Sequence, residues 1–557
     1  MSEAGEIVSR IYSGFRGVDF RGEEINLVRS PDSVNVWKDY KETESIRTRP
    51  DMNLLVSFDA PLFGIFFYNN RMLVHSGSKL YEVINGAKTV LCSDLNEVPS
   101  NSFIFANVWY FKDGKNYLQY DGTTIKEVEG YVPKTSIARR PAGGGTIYED
   151  VNFLSDYRIN TFLADGESTE YNLDSMNIDT DYVPFVKIND VVAGGYSVDY
   201  ENGKITFEVA PEVPLTDGQD NVSIKFKKTV PGYSDRIKKC TLLQEFDNRV
   251  FFSGNPDFPN TVWHCSLEDP TYCSDLDYYN EGQDNAAVKG LVAGNNALWV
   301  FREPSQANTA VFYHTPTIDS DYGKIYPSTH SSVSTGCVGK AINFNDDIVF
   351  FSDRGMEGIS GDITTEQVIA HRSTMVDRKL TAEKNYKNMI LEEWEGYLIV
   401  FVDDKAYLAD SRAMFTSESH TEYEWFYWQL SKKVTCSVVD KGVLYVGTDD
   451  GVYTFDGTGD IESYWVTPKD KFKYPSRQKT TNKRGCVIEA LGDVSVFAKV
   501  EDSEFELIGE YKDITDYFVC RIKRKKFKDL QLKFYSKTRF SLETATIEAF
   551  VGGYIKR

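Results

Sequence analysis

The chain has 557 residues, of which 41% are hydrophobic and 26% charged, a balance that builds packed cores and excludes a wholly disordered polypeptide. Its 83 Asp and Glu against 62 Lys and Arg leave a formal charge of -21, which repels phosphate backbones and anionic lipid and argues against gripping nucleic acid as the main task. Aromatics at 14%, together with many Val, Ile and Thr, favour pleated sheets over helices, so an all-β fold is expected.

The opening MSEAGEIVSRIYSGF lacks the apolar core of a secretory signal, and no later stretch reaches ~18 consecutive apolar residues. Neither standard secretion nor membrane spanning is expected. Residues 1–55 read as an N-terminal arm. Beyond it a hairpin recurs seven times: a polar turn, a short apolar strand, a Gly-bearing turn and a second strand. It starts at Tyr68, Asn107, Phe246, Asn295, Asn345, Glu395 and Asp440. Asp113-Gly114, Asp121-Gly122, Asp450-Gly451 and Asp456-Gly457 are the dipeptides expected to supply the positive φ of tight turns. From Phe246 onward the starts fall about 45–50 residues apart, the length of a four-stranded propeller blade. A β-propeller of six or seven blades follows, occupying residues 56–148 and 231–463; a row of β-sandwiches is the rival.

The spacing breaks once. Residues 149–230 carry their own strands, at Phe185–Ile188, Tyr196–Tyr200, Ile205–Val209 and Val222–Phe226, with a hairpin turn at Glu201-Asn202-Gly203-Lys204. They read as a small inserted β-sandwich. Arg139-Arg140-Pro141-Ala142-Gly143-Gly144-Gly145 precedes it and reads as a hinge-like linker, because neither phosphate-binding glycine pattern follows. Helix is scarce, the best candidate being Thr364 to Lys384, where Val368, Ile369, Val376 and Leu380 share a helical face. Residues 464–557 form a β-rich C-terminal domain with 20 Lys and Arg against 13 Asp and Glu, a basic piece on an acidic body. Its densest run, Arg521 to Lys528, fits an exposed strand edge or a protein contact better than a nucleic-acid grip.

Chemistry-bearing patterns are thin. The eight cysteines are scattered without a C-x-x-C pair, which fits buried reduced thiols and assembly in a reducing cytoplasm. Six isolated histidines compose no metalloprotease helix, and His75 and His314 sit in strands as packed imidazoles. Trp263-His264-Cys265 with Cys273, Asp275 and Asp277 offers zinc-type ligands, yet the thiols are eight apart and His264 adjoins Cys265, which places the two on opposite strand faces. The acidic loops Asp275 to Asp284 and Asp346-Asp347 lack an ordered calcium motif. No catalytic, cofactor or metal residue is assigned. Exposed aromatics such as Tyr278, Tyr279 or Trp425 would serve a glycan-binding rival, and Asp353 in Ser352-Asp353-Arg354-Gly355 is the nearest approach to a sialidase box.

Two motifs resemble a known family. The first is Ser30-Pro31-Asp32 through Asn35 and Trp37 to Arg49-Pro50; the second is Ser253-Gly254-Asn255-Pro256 followed by Pro259, Asn260 and Trp263. Together they resemble the bacteriophage tail-nozzle or tail-hub (head-completion stabilisation) family of short-tailed phages, over most of residues 14–266. Asp51 departs from the glycine the family commonly has after Arg-Pro. The resemblance implies a non-enzymatic virion subunit that forms a ring, typically of six copies, below the portal or adaptor. It would contact other tail proteins and prolong the DNA-ejection channel without specific DNA binding. No cofactor is implied. A peripheral receptor- or glycan-binding propeller is the alternative, and a glycan-cleaving propeller ranks last.

Overall fold

The computed structural model describes residues 6–39, 42–306, 309–320, 323–360, 368–417, 420–523 and 525–554. By internal contacts the chain divides into two units, residues 1–90 with 335–557, and residues 91–334. Among the described residues no helix is long and apolar enough to cross a membrane.

Among the described residues, seven four-stranded antiparallel sheets form a β-propeller. The first six blades span 62–92, 101–127, 242–280, 288–330, 341–371 and 390–429. The seventh takes three strands from Cys436–Asp440, Val443–Gly447 and Gly451–Gly457 and its fourth from Asp51–Ser57, near the other end of the chain. That pairing runs antiparallel from Gly451 opposite Ser57 to Phe455 opposite Met52. A terminal strand completing the last blade is the closure a propeller requires, so the sandwich-row alternative falls away.

Each blade turns from its first to its second strand through two residues that both hold positive φ: Asn69-Asn70, Ala106-Asn107, Asp247-Asn248, Asn295-Asn296, Asn345-Asp346, Glu395-Gly396 and Lys441-Gly442. This is the two-residue hairpin geometry whose twist matches paired strands, and Asn and Asp tolerate it best after Gly. The expected glycine turns divide. Gly114 and Gly122 do hold positive φ, whereas Gly451 and Gly457 do not. A Cβ on Gly451 would sit 2.6 Å from the Val56 carbonyl oxygen, so this glycine admits the closing strand rather than bending the chain.

The second strands are buried on both faces, as in Ala297–Arg302 and Tyr397–Val402. This explains why they read as continuous apolar runs and not as alternating ones.

The insert begins earlier than 149. Lys134–Arg139 pairs in parallel with Tyr157–Phe162 and belongs to a six-stranded sheet, which a three-stranded sheet faces. Phe162, Val186, Ile224 and Phe226 of the first pack with Tyr171, Ile205 and Phe207 of the second. The segment read as a hinge is a packed hairpin turn. Arg139 donates to the Asn172 carbonyl at 3.0 Å and to Ser136 Oγ at 3.1 Å, and a Cβ on Gly145 would meet the Ile137 carbonyl oxygen at 2.7 Å.

The expected helix at Thr364 to Lys384 is not formed: Val368–His371 is the outer strand of the fifth blade, and only Asp377–Leu380 is helical. Its β-branched start completes a sheet, while Val376 and Leu380 enter the core behind it; residues 364–367 lie outside the described residues. A helix that the sequence did not suggest, Tyr233–Lys238, ends on the buried Lys112 ammonium, which donates to the Ile237 and Lys238 carbonyls at 2.5 and 3.2 Å.

The N-terminal residues are no free arm. Ile7–Tyr12, Ser33–Val34, Val36–Asp39 and Glu42–Thr48 all join an eleven-stranded sheet whose other strands come from residues 463–554. Of the basic run, only Lys526–Phe527 is strand. Ile522 and Phe527 are both buried, which breaks the alternation expected of one exposed strand, and Lys525 is paired to Glu506. Arg524 lies outside the described residues.

Candidate functional site

Most of the first family-type motif folds into one buried joint, with Asp32 at its exposed rim. Asn35 sits at φ 58, a conformation asparagine accepts more readily than most residues. Its side-chain oxygen accepts from Arg49 Nε and the Gln429 amide, both at 2.9 Å, and its Nδ2 donates to the Glu462 carbonyl at 2.9 Å. Its backbone donates to the Tyr427 carbonyl and accepts from the Arg49 amide. Arg49 also donates to the carbonyls of Pro50 and Gln429, at 2.8 and 3.2 Å. Burial pulls the guanidinium pKa down to about 10, with Asp51 opposing, so it stays charged at neutral pH.

Beside this cluster Trp37 stacks on Trp394 at 5.4 Å and meets Trp428 edge-on. Ser30 Oγ accepts from the Val466 amide, and Tyr464 donates to Asp32 at 3.1 Å, with Pro31 between the two anchors. Asp51, in the glycine position of the family pattern, caps its neighbour by accepting from the Met52 amide at 2.8 Å. The motif therefore fastens the sixth blade to the eleven-stranded sheet.

The second motif is a joint of the same kind in the third blade. Ser253 donates to the Thr261 carbonyl, and Asn255 Nδ2 donates to the Asp235 and Arg236 carbonyls at the end of the short helix. Gly254 holds φ 75, and a Cβ there would also sit 2.6 Å from Thr241 Oγ1, so conformation and space both favour glycine. Pro256 lies inside the turn that Asn255 and Phe258 close. Pro259 accepts from the Val288 amide, Asn260 donates to the Glu281 carbonyl, and buried Trp263 packs edge-on against the partly exposed Phe258.

His264, His314 and His371 are each held by neighbouring groups. His264 touches the Cys265 carbonyl through Nδ1 at 3.0 Å, and burial lowers its pKa to about 4. Burial also raises Cys265 to about 12, so its thiol stays protonated in an apolar core. The Trp263 to Asp277 group thus presents no thiolate, and among the described residues no cluster of three or more metal-ligating side chains occurs.

His314 lies between Glu281, at 2.9 Å from Nε2, and the Tyr326 carbonyl, at 2.9 Å from Nδ1. Ser328 donates to the other Glu281 oxygen at 2.6 Å. Serine, histidine and glutamate thus gather, but the hydroxyl is bonded to the carboxylate instead of the imidazole, and His314 and Glu281 are wholly buried.

His371 is held by Glu357 at 3.0 Å and Asp377 at 2.6 Å. Burial opposes its charge, yet the two carboxylates outweigh burial and raise its pKa to about 10. An imidazolium with both N–H groups engaged has no lone pair to take a proton. Glu357 and Glu281 lie 14 and 33 residues from their histidines in sequence, so no local pattern announces them, whereas Asp377 is 6 residues from His371.

Of the aromatics nominated for glycan contact, Tyr278 is partly exposed, Tyr279 is covered by His264 and His314, and Trp425 is fully buried with its indole N–H on the Arg372 carbonyl. Trp425 is core, because its strand is covered on both faces. Asp353 lies in a tight turn closed by Ser352 and Gly355.

No family model and no curated protein matches the chain. Solved structures do. BamB from Moraxella catarrhalis is 11% identical over 72% of this chain and 96% of that one, with a TM-score of 0.33. An exo-β-1,3-galactanase from Phanerochaete chrysosporium is 10% identical over 55% and 94%, at 0.22. PorZ, a surface component of the type-IX secretion system of Porphyromonas gingivalis, is 11% identical over 85% and 75%, at 0.20. Likeness at this level carries no functional inference.

Proposed function

We propose that this protein is a structural virion subunit of a short-tailed phage, forming a ring, the tail nozzle or hub, below the portal or adaptor and prolonging the path along which the genome leaves. The observation that carries the reading is the fate of the first motif. Residues resembling the family signature, Ser30, Asn35, Trp37 and Arg49, are spent on one buried joint between a blade and the eleven-stranded sheet, with Asp32 held by Tyr464 at its exposed rim. Such a joint turns a propeller and its companion sheet into a stiff building block rather than a reaction vessel.

Charge supports the same reading: a net -21 lowers adhesion of DNA to the wall it passes. Eight free thiols suit synthesis and assembly in a reducing bacterial cytoplasm. The partners expected are copies of this chain, six to a ring, the adaptor or portal, and other tail proteins.

Mass photometry of the full chain mixed with purified portal and adaptor tests this. A species carrying six additional 63.3 kDa chains is expected. A chain that stays monomeric in the presence of both partners, or that turns over envelope glycans, would overturn it.

A further inference from the structure

The six-stranded sheet of the insert has one face in its core and one face open. Phe162, Val186 and Val222 point inward, while Thr161, Lys187 and Ser223 alternate outward. Over the open face, rimmed by the loop through Leu215 and Gln219, runs a groove of about 700 Å³. This lies within the ~300–1,000 Å³ range of sites that take small ligands.

Its chemistry is unlike its surroundings. Residues 149–230 hold 16 Asp and Glu against 6 Lys and Arg, yet the groove lining balances Lys134 and Lys187 against Asp190 and Asp220. Balanced charge disfavours a phosphate chain and a polycation alike.

Asp220 is the distinctive group. One carboxylate oxygen accepts from the Ala138 amide at 2.9 Å and from Thr161 Oγ1, and the other is buried without a hydrogen-bond partner. A buried acceptor left open costs free energy that a donating hydroxyl recovers. At the rim Tyr148 is 60% exposed and Leu215 92%, an apolar surface against which the C–H face of a sugar ring can lie. Hydroxyl donors, amide partners and a ring platform in a charge-neutral groove describe one ligand class.

We infer that this groove binds a neutral oligosaccharide of a few rings. The inference goes beyond the ring reading and stands without it, since binding is measured on the isolated chain and ring formation on the mixture with portal and adaptor.

The full-length chain is applied to an array of neutral oligosaccharides, with single-stranded oligo(dA) and polyphosphate as anionic probes and an extended uncharged peptide as a third class. Saturable binding to neutral glycans is expected. Tyr148→Ala should weaken it about ten-fold, and Lys187→Met should weaken it measurably, both at the parent melting temperature. No retention of any neutral glycan, preference for the anionic or peptide probes, or equal affinity in both variants would overturn the inference.

Discussion

The joint around Asn35 and the groove around Asp220 use the same side-chain chemistry and reach opposite ends. In the joint a carboxamide, a guanidinium and three carbonyls satisfy one another out of water, and tryptophans seal them. In the groove a carboxylate satisfies two backbone or hydroxyl donors with one oxygen and leaves the other buried without a hydrogen-bond partner, in a lining that also holds exposed Tyr148. Closed polar networks specify structure, whereas a partly closed one at a surface is a place where something else completes it. Disruption should therefore be expensive at the first and nearly free at the second.

The largest effect is expected for Trp37→Ala, which removes a ring stacked on Trp394 and met edge-on by Trp428 and should cost about 3–5 kcal/mol in denaturant unfolding. Asn35→Ala should come next, at roughly 3 kcal/mol, because Arg49 Nε and the Gln429 amide lose their acceptor in a buried site. Asn35→Gly sharpens that result. It relieves the positive φ that alanine would strain, so it should recover about 1–2 kcal/mol of the loss and no more. Equal losses in the two variants would show that the conformation at 35 carries no cost.

Gly451→Ala probes closure of the propeller. The Val56 carbonyl leaves no room for a methyl group, and a cost of about 1–3 kcal/mol is expected, with hydrogen exchange rising first in residues 51–57. Uniform protection across that strand would refute the role given to this glycine.

A smaller, pH-dependent effect belongs to His371. Its folded pKa of about 10 exceeds the ordinary histidine value near 6.5, so its contribution is complete below about pH 6.5 and disappears as pH rises through 10. The melting-temperature gap between the parent and His371→Gln should shrink steadily across that window. The smallest change is expected at the groove, where Tyr148→Ala should leave stability within about 0.5 kcal/mol, since the ring is exposed.

The blades were legible because propeller hairpins repeat locally. Polar dipeptides such as Asn69-Asn70 and Asn295-Asn296 flank apolar runs at a fixed distance, and the same residues then hold the turn. Gly451 misled for a physical reason: a glycine selected for close approach looks the same in sequence as one selected for a bend. The start of the insert was hidden because Lys134–Arg139 pairs in parallel with a strand beyond the glycine-rich turn, and its hairpin partner Thr146–Ile147 is only two residues long. The sequence singled out Asn35 and Arg49 as motif residues without revealing that one bonds the other. Gln429, which both of them bond, and Glu462, which Asn35 bonds, lie nearly 400 residues or more along the chain. Asp220 looked like one acid among many, since an unpartnered oxygen exists only once the fold surrounds it.

Cryo-electron microscopy of an intact particle containing this chain tests the central proposal most directly. Six propellers arranged around the genome exit path, each with its 7–12 strand folded into its own eleven-stranded sheet, are expected. A map with the propellers off that axis, or with the particle's exit channel complete without them, would contradict it.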